Sequence, residues 1–358
     1  MNQAMQSAEA DAPVIVRLDT VTPRKVLWLW HHGIPRGKLT LLAGDGGIGK
    51  SLLTMDLAQR VSSGRPWPDS LGEPNPAGGV VIVSAEDDVD DTIVPRLKAA
   101  GADLTRLAAI QGVEFTDDNR KRRGVRGFNL QHDMPVLQEA IETTDDCALV
   151  IIDPATAYMG NVRGNDNVEV RGCLAPLAAL AADTGVAVVL VTHFNKPNAG
   201  ANATAAHRII GSIAFNAAAR ATWIVCRDEA PSQRRLLLPV KWNLCREPMG
   251  LAYEIHPYEH DAEIPVLHWQ SGAVTIRADD ALAATQPKAK RLRDNVMGWI
   301  ADRLSGGPVL SATMEAEIEQ RDFNARTVDR AKRELGVVSR RLPHEGKTPW
   351  FWVLPKEE

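Results

Sequence analysis

The residues best suited to chemistry lie between positions 44 and 51, which read Gly-Asp-Gly-Gly-Ile-Gly-Lys-Ser. This spacing, G-x-x-x-x-G-K-S, is typical of a P-loop. Its glycines let backbone N–H groups point at phosphates, its lysine reaches the β and γ phosphates of ATP, and its serine hydroxyl ligates Mg²⁺. The sequence therefore predicts a site for ATP and Mg²⁺. The predicted binding residues are Gly44, Asp45, Gly46, Gly47, Ile48, Gly49, Lys50, Ser51 and Leu52.

The elements on either side of this loop are those that a P-loop needs. Residues 39–43 form an apolar run that predicts a buried strand, and Leu53, Leu57 and Val61 follow at helical spacing. The amino end of the predicted helix adds a partial positive charge beside the phosphates. This context favours a phosphate-binding loop over a chance glycine-rich turn.

A candidate magnesium ligand, Asp153, follows the apolar run at residues 148–152. A carboxylate at the carboxyl end of a core strand can hold Mg²⁺ through water beside a P-loop. A simple strand-end turn is the alternative, because Asp-Pro sequences favour turns and Pro154 follows directly. Since Pro154 takes the next position, no tandem Asp-Glu pair supplies a catalytic base here.

The candidate base is Glu86, at the end of the apolar run at residues 80–83. From that position a carboxylate can accept a proton from the water that attacks the γ-phosphate. Asp87 and Asp88 are competing candidates, and a solvated acidic turn is the structural alternative.

Thr192 and His193 end another apolar run, at residues 186–191. A polar residue at that position can contact the γ-phosphate and report its loss to the adjacent loop. The alternative is a structural histidine at a strand end.

Composition gives broader limits. The chain has 358 residues, 44% hydrophobic and 24% charged, with a net charge of −4, as in a water-soluble globular protein. Residues 286–358 hold 14 Lys/Arg and 11 Asp/Glu, a balance of +3, which leaves −7 for the rest. This asymmetry is a weak indication of a polyanionic partner. Four scattered cysteines and no apolar run of 18 residues favour a reducing cytoplasm and no membrane span.

Apolar runs that alternate with helical patterns predict an α/β fold, with a mostly parallel sheet covered by helices on both faces. We expect a disordered segment at 1–20, an ATPase domain at 21–270, a linker at 271–290 and a small second domain at 291–358.

These motifs together resemble the RecA-like ATPases of the hexameric-helicase branch, specifically plasmid-type RepA replicative helicases and related phage and prophage AAA-family proteins. The resemblance covers roughly residues 24–255. Besides the P-loop, it rests on five segments: residues 84–87, 181–185 and 192–196, Gly211-Ser212 followed by Arg220, and residues 241–243.

The resemblance implies roles for individual residues. Glu86 would be the base, Asp153 the Mg²⁺ ligand, and His193 or Thr192 the γ-phosphate sensor. Arg220 matches an arginine finger that reaches the neighbouring subunit's nucleotide. Two further cations also match the family pattern, Arg208 as a second finger candidate and Lys241 as a trans-acting lysine. The predicted catalytic set is Lys50, Glu86, Asp153, His193 and Arg220.

The same resemblance predicts assembly into a ring, with six copies expected. An intramolecular ion pair is the alternative role for Arg220. Two loops would face single-stranded DNA in the ring channel, one containing Arg163 and the other Lys196. A plain solvated loop is an equally good interpretation of each. The chain departs from the family in its appended tail.

Residues 291–354 have the pattern of a small winged helix-turn-helix domain. Val328, Ala331 and Leu335 share one face of a third helix. Basic residues lie off that face and in the following hairpin, where they could contact duplex phosphates. They are Arg326, Arg330, Arg333 and Arg340. A protein-docking winged helix with a solvated basic face is the alternative.

The combined prediction is an ATP-hydrolysing oligomeric motor on DNA, most specifically a RepA-like replicative helicase in the cytoplasm. A recombination ATPase that forms filaments on single-stranded DNA is one alternative. An ATP-gated DNA-binding regulator that does not translocate is another.

Overall fold

The computed structural model describes residues 15–70, 72–117, 122–162, 166–194, 204–209, 212–229, 233–284, 288–344 and 347–355. Most of the predicted disordered amino-terminal segment, residues 1–14, lies outside the described residues, as do Arg163 and Lys196. The strands are β1 (Trp28–Trp30), β2 (Ile34–Pro35), β3 (Leu39–Gly44), β4 (Gly79–Ser84), β5 (Leu107–Ile110), β6 (Val113–Asp117), β7 (Arg122–Arg126), β8 (Cys147–Asp153), β9 (Ala187–His193), β10 (Ala221–Arg227), β11 (Arg234–Trp242), β12 (Leu251–Tyr258), β13 (Asp261–Trp269), β14 (Val309–Leu310), β15 (Val338–Arg341) and β16 (Trp350–Val353). The α-helices are α1 (Lys50–Ser63), α2 (Val94–Ala100), α3 (Met134–Thr143), α4 (Asn167–Thr184), α5 (Ala205–Arg208), α6 (Ser212–Ala218), α7 (Ala278–Ala284), α8 (Lys288–Ser305), α9 (Ser311–Gln320) and α10 (Ala325–Glu334).

A nine-stranded sheet forms the centre of the molecule, in the order β13-β12-β11-β10-β3-β9-β8-β4-β5. The strands from β10 to β5 pair in parallel, whereas β11, β12 and β13 continue the sheet as an antiparallel meander. The central parallel strands are buried on both faces, which explains why they read as continuous apolar runs rather than as alternating patterns.

Helices cover both faces of this sheet. One apolar layer contains Leu42 together with Leu53 of α1 and Leu97 of α2. The opposite layer contains Leu41 with residues of α3, α4 and α6. Because neighbouring residues of β3 enter opposite layers, the strand has the period of two that a two-sided core requires. The predicted α/β fold is confirmed.

One segment differs from the pattern expected of it. The predicted linker at 271–290 includes α7, whose Ala278, Ala281 and Leu282 are buried in the core of the sheet domain. The polar, basic stretch after β5 forms an antiparallel hairpin of β6 and β7. In α7 the apolar face consists mainly of alanine, so its hydrophobic periodicity is weak in the sequence.

The β1–β2 hairpin is fixed to the sheet domain by stacked indole rings. Trp30 lies between Trp67 and Trp223, with ring centroids 5.2 and 5.8 Å away and nearly parallel planes. The Trp30 indole N–H donates to Asp69 Oδ1 at 2.7 Å, and the Trp223 N–H donates to the carbonyl of Gly33 at 3.0 Å. Stacking and hydrogen bonding together hold this hairpin against the sheet domain.

Helices α8, α9 and α10 pack with a three-stranded sheet, ordered β14-β16-β15, around their own apolar core. Val296, Ile300, Met314, Val328 and Trp352 are buried in it. The helices and the β15–β16 hairpin occur in the order that the sequence predicted. Within the described part of the chain, no helix is both long enough and apolar enough to span a membrane.

Candidate nucleotide site

The predicted chemical residues meet at the carboxyl edge of the parallel strands. Gly44 of β3 pairs with His193 of β9, and Ser84 of β4 pairs with Asp153 of β8. The order of the strands reverses around β3, and ligands of open α/β sheets bind in the crevice beyond such a point. The sheet itself therefore brings Lys50, Glu86, Asp153 and His193 to one place.

The loop from β3 to α1 requires glycine at two positions for different reasons. A Cβ atom at Gly44 would lie 2.7 Å from the carbonyl oxygen of Val225. Gly49 has a φ of 99°, in the left-handed region, and a Cβ there would lie 2.6 Å from Ile255 Cδ1. The helix α1 begins directly after Gly49, so its first N–H groups border the loop.

Lys50 is buried, and neutral oxygens of the loop hold its ammonium group. Its Nζ donates to the carbonyl of Gly44 at 3.1 Å and to that of Asp45 at 2.8 Å. Burial lowers the pKa of Lys50, and the negative charges of Asp153, Glu86 and Asp45 oppose that shift. A phosphate anion at this position would compensate the buried positive charge.

Asp153 is also buried, with 7% of its surface exposed. Burial raises the pKa of this carboxyl to about 6, although a hydrogen bond from the Ser51 side chain and the charge of Lys50 favour the ionised form. Its Oδ2 is fully buried and has no hydrogen-bond partner among the described residues. An unpaired carboxylate oxygen beside a serine hydroxyl is a donor set that suits Mg²⁺, which prefers oxygen ligands.

His193 lies between Lys50 and Glu86. Its Nδ1 is 3.2 Å from Lys50 Nζ, and its Nε2 is 3.8 Å from Glu86 Oε1. Burial lowers the pKa of His193, and the charge of Lys50 lowers it further. Since Lys50 can only donate, Nδ1 accepts and the proton of the neutral ring lies on Nε2, facing Glu86.

The acidic turn after β4 contains three carboxylates with different surroundings. Asp87 forms an ion pair with Arg96 at 3.1 Å, so that carboxylate is already engaged. Glu86 keeps 60% of its side chain exposed and faces His193. Asp88 precedes a π-helical turn and is exposed. Among the three, Glu86 has the position best suited to a base.

Thr192 does not join this group. It is fully buried, and its Oγ1 has no hydrogen-bond partner among the described residues. Consecutive residues of a strand point to opposite faces, so Thr192 faces away from the side that His193 occupies. Of the two predicted sensor candidates, the geometry favours His193.

Arg208 packs on Phe194, which faces the side of the sheet opposite His193, because consecutive residues point to opposite faces. Its guanidinium carbon is 4.9 Å from the ring centre of Phe194, the residue that follows His193. Its Nε and Nη1 are buried and lack hydrogen-bond partners within the described ranges. The role of Arg208 as a second finger candidate stays a prediction.

Arg220 and Lys241 lie at the amino-terminal ends of the parallel strands, which we call the amino edge, opposite the P-loop. The Arg220 backbone N–H donates to the carbonyl of Leu39, the first residue of β3. Five residues of strand separate that point from Gly44, which is about 17 Å at ~3.3 Å per residue. Lys241 Nζ donates to the carbonyl of Ala219 at 2.8 Å and to that of Asn216. The fold therefore does not bring either cation to its own P-loop, and Lys241 holds the end of α6 within its own chain.

Motif reasoning did not identify Arg235, which contacts the P-loop from β11. Its Nε donates to the carbonyl of Ile48 at 3.0 Å, and its Nη1 donates to that of Gln233 at 2.7 Å. Burial lowers the pKa of the Arg235 guanidinium. The sequence does show that Arg235 precedes an apolar run. Nothing in the sequence, however, connects Arg235 with a loop 187 residues earlier.

A cavity of about 560 Å³ adjoins the first turn of α1 at Leu52, between α1, α2 and β13. Aromatic side chains Tyr258 and Trp269 form part of its wall. Trp269 is fixed there by a hydrogen bond from its indole N–H to Asp56 Oδ2 at 2.8 Å. Its lining follows α1 from Leu52 to Arg60 and includes none of the residues from 44 to 51.

The predicted nucleic-acid contacts in the carboxyl-terminal unit are exposed. Arg326, Arg330 and Arg333 lie on α10, and Arg340 lies on β15. Lys332, in contrast, stacks over Trp352 at 3.7 Å from the ring centre, and burial lowers its pKa. Four exposed guanidinium groups thus remain available on one helix and the adjoining strand.

The fold and the site together define a RecA-like P-loop ATPase. A family model described as an AAA domain matches residues 5–199, which are 195 of the 358 residues, and the chain belongs to that family. The chain is also similar to the DNA repair protein RadA of Halalkalibacterium halodurans, with 26% identity over 187 residues. That match covers 51% of this chain and 34% of the relative, so it spans about a third of that protein's length.

Proposed function

We propose that the chain is an ATP-hydrolysing, Mg²⁺-dependent motor that acts on DNA as an oligomer, most specifically a RepA-like replicative helicase of plasmid, phage or prophage type. The position of Arg220 is the observation that carries this proposal. Its side chain is exposed at the sheet edge opposite the P-loop of the same chain. A finger at that edge can act only on the nucleotide of another copy, which favours a ring, proposed as a hexamer.

Each residue of the carboxyl edge has a distinct task in this proposal. Lys50 binds the β and γ phosphates, and Glu86 accepts the proton of the water that attacks the γ-phosphate. Neutral His193, between these two, links the presence of the γ-phosphate to the position of Glu86. Asp153 and Ser51 would hold Mg²⁺, which neutralises phosphate charge when bound.

DNA is proposed to bind at two places. The loops that contain Arg163 and Lys196 would face a single strand in the ring channel. The carboxyl-terminal unit, proposed as a winged helix-turn-helix, would place α10 on a duplex, supported by the exposed guanidinium groups of Arg326, Arg330, Arg333 and Arg340. Phosphate contacts of this kind give salt-dependent binding with little sequence preference. We place the protein in the cytoplasm, where replicating DNA is found.

A recombination ATPase is the second candidate function. The similarity to a protein named for DNA repair favours it, although the match covers 34% of that protein. In this alternative the same P-loop and Arg220 would assemble a filament on single-stranded DNA, and the product would be exchanged strands rather than separated ones.

The deciding experiment combines unwinding with strand exchange. Purified protein is incubated with ATP, Mg²⁺ and a duplex that carries a 5′ or a 3′ single-stranded tail, and the displaced strand is measured. We expect displacement by wild type and none by Arg220→Ala. ATP hydrolysis on single-stranded DNA without displacement would contradict the helicase assignment. Strand exchange in the parallel assay would select the recombinase, and activity in neither assay would select a regulatory ATPase.

A further inference from the structure

The β6–β7 hairpin leaves the carboxyl edge of the sheet, the edge that also carries the nucleotide site. Ile110, the last residue of β5, pairs with Val83 near the end of β4, and β6 begins three residues later. Within the described ranges, β6 and β7 pair only with each other, outside the nine-stranded sheet. None of the residues assigned above to the nucleotide site lies on these strands, so the hairpin is free for another task.

The segment after β7 fixes the root of the hairpin to the loop that follows β8. Phe128, two residues after β7, is buried, and its ring packs edge-on against that of Tyr158 with the centroids 5.8 Å apart. The Leu130 N–H donates to the Tyr158 carbonyl at 2.8 Å. Tyr158 leads directly into residues 159–166, the loop that contains Arg163 and is proposed to face a single strand of DNA. The hairpin therefore begins beside the start of that loop.

An aromatic ring is exposed on this hairpin. Phe115 of β6 has an exposed fraction of 41% and pairs with Gly124 of β7. A Cβ atom at Gly124 would lie 3.0 Å from Phe115 Cε1 and 3.1 Å from its Cζ, so the ring lies against the backbone of the glycine. An aromatic side chain that is supported in this way and still open to solvent is a surface on which a nucleic-acid base can stack.

Positive charge is concentrated in the second half of the hairpin. Residues 113–126 hold 5 Arg/Lys and 3 Asp/Glu, a balance of +2, and all five cations fall between 120 and 126, of which residues 120 and 121 lie outside the described part of the chain. Arg126 donates two hydrogen bonds of 2.6 Å to the buried carboxylate of Asp133, which balances its charge and anchors β7. Arg123 is exposed. A polyanion with accessible bases matches both the ring and the cation.

We propose that the β6–β7 hairpin is a third DNA contact, on which a single strand stacks a base on Phe115 and places a phosphate on Arg123. This inference rests on the proposed function, since it extends the DNA path of the same motor from the loop after β8. Arg123 and Gly124 point to opposite faces, so the strand crosses the edge of the hairpin between the stacked base and the bound phosphate. Stacking accepts every base, and the contact therefore has little sequence preference.

The test measures the affinity of the full-length protein for a fluorescent oligothymidylate, with Mg²⁺ and a non-hydrolysable ATP analogue. Phe115→Ala removes the ring, and the affinity should fall by about 10-fold, as is typical for loss of a base-stacking side chain. Phe115→Trp keeps a stacking surface and should bind within a factor of about two of wild type. The matched control is Val125→Ala, an apolar residue of the same hairpin with 69% exposure, and it should bind as wild type does.

Arg123→Gln tests the phosphate contact in the same assay. The slope of log affinity against log salt concentration should become shallower by about 0.7, the value for one phosphate of a single strand. Binding of a fluorescent ATP analogue is the folding control and should be unchanged in every variant.

If wild type binds the oligonucleotide and Phe115→Ala binds it equally well, the hairpin inference is wrong while the DNA motor stands. Equal losses of affinity in Phe115→Ala and Val125→Ala would also overturn the stacking role. A Phe115→Ala protein with normal DNA affinity and altered sedimentation would make the hairpin a contact between copies instead. If wild type does not bind the oligonucleotide, the proposed function fails and the hairpin inference fails with it.

Discussion

The two edges of the central sheet differ in how completely they are built. At the carboxyl edge, Lys50, Asp153 and His193 are buried or half-buried. Lys50 contacts His193 and the P-loop backbone, and Asp153 accepts a hydrogen bond from the Ser51 side chain. At the amino edge, Arg220 projects into solvent without a ligand-binding cradle around it. The carboxyl edge is preorganised for nucleotide binding within one chain, and in the proposed function a neighbouring copy supplies the stabilisation of the transition state. Four substitutions test this difference between the two ends of the parallel strands.

The largest effect should come from Arg220→Ala, which removes the amino-edge cation. We expect the rate of hydrolysis in assembled protein to fall by roughly 10³-fold, the lower range for arginine fingers. Nucleotide affinity should stay within a factor of two or so of wild type, because Arg220 is about 17 Å from its own P-loop. Arg246→Ala, an exposed arginine in the loop after β11, is the matched control. The rate of steady-state phosphate release measures this effect. A wild-type rate for Arg220→Ala would show that Arg220 is not an arginine finger.

The carboxyl edge is tested by Glu86→Gln, which keeps the shape of the side chain but cannot accept a proton. The turnover number should fall by about 10²-fold or more, as is usual for loss of a general base. ATP affinity should be retained, because Glu86 is largely exposed and Lys50 is untouched. Asp88→Asn, in the same turn, should leave turnover nearly unchanged. If Asp88→Asn lowered turnover and Glu86→Gln did not, Asp88 would be identified as the base.

The buried carboxyl group of Asp153 affects the stability of the folded chain as well as the nucleotide site. Its folded-state pKa of about 6 lies above the ordinary value of 3.8. The folded state therefore binds the proton more strongly, and this group's contribution to stability decreases as pH rises through that interval. Asp153→Asn should raise the free energy of unfolding of the nucleotide-free protein by about 3 kcal/mol at pH 7.5, and by roughly half of that at pH 5.

Urea denaturation at both pH values measures this effect, with Asp183→Asn as the exposed control. An equal change at pH 7.5 and pH 5 would show that the ionised carboxylate is not the destabilising group. A stabilised but inactive Asp153→Asn protein would show that the carboxyl edge gains function at the expense of stability.

The smallest effect belongs to Arg235, which supports the P-loop without touching the reacting atoms. Arg235→Gln removes the hydrogen bond to the Ile48 carbonyl, worth about 1 kcal/mol for a typical buried bond, so ATP affinity should weaken by ~5-fold. Turnover at saturating ATP should change little. Arg234→Gln breaks the neighbouring pair with Asp228 and should not alter ATP affinity. Titration of each variant with ATP measures the two affinities. Equal losses of affinity in Arg235→Gln and Arg234→Gln would indicate a general effect on β11 rather than the loss of the bond to Ile48.

The carboxyl edge was far more predictable from the sequence than the amino edge. Parallel strands end together, so apolar runs followed by Lys50, Glu86, Asp153 and His193 were sufficient to bring those residues together. Lys241 and Arg235 were harder, because their contacts join elements distant in sequence. Lys241 binds carbonyls at the end of α6, and Arg235 binds a P-loop carbonyl. Local spacing carries no information about such pairings. The helix α7 was missed since its buried face is mostly alanine.

The stacked tryptophans have a spectroscopic consequence. The ring centroid of Trp30 lies within 5.8 Å of those of Trp67 and Trp223, and both of these rings are within 9° of parallel to Trp30. Indoles at this separation couple electronically, so this group should dominate the near-ultraviolet circular dichroism, a signal that depends on fixed tertiary packing. Because Trp30 belongs to the β1–β2 hairpin, that signal is a built-in optical marker of the hairpin's attachment to the sheet domain. It can be followed in wild-type protein without any added label.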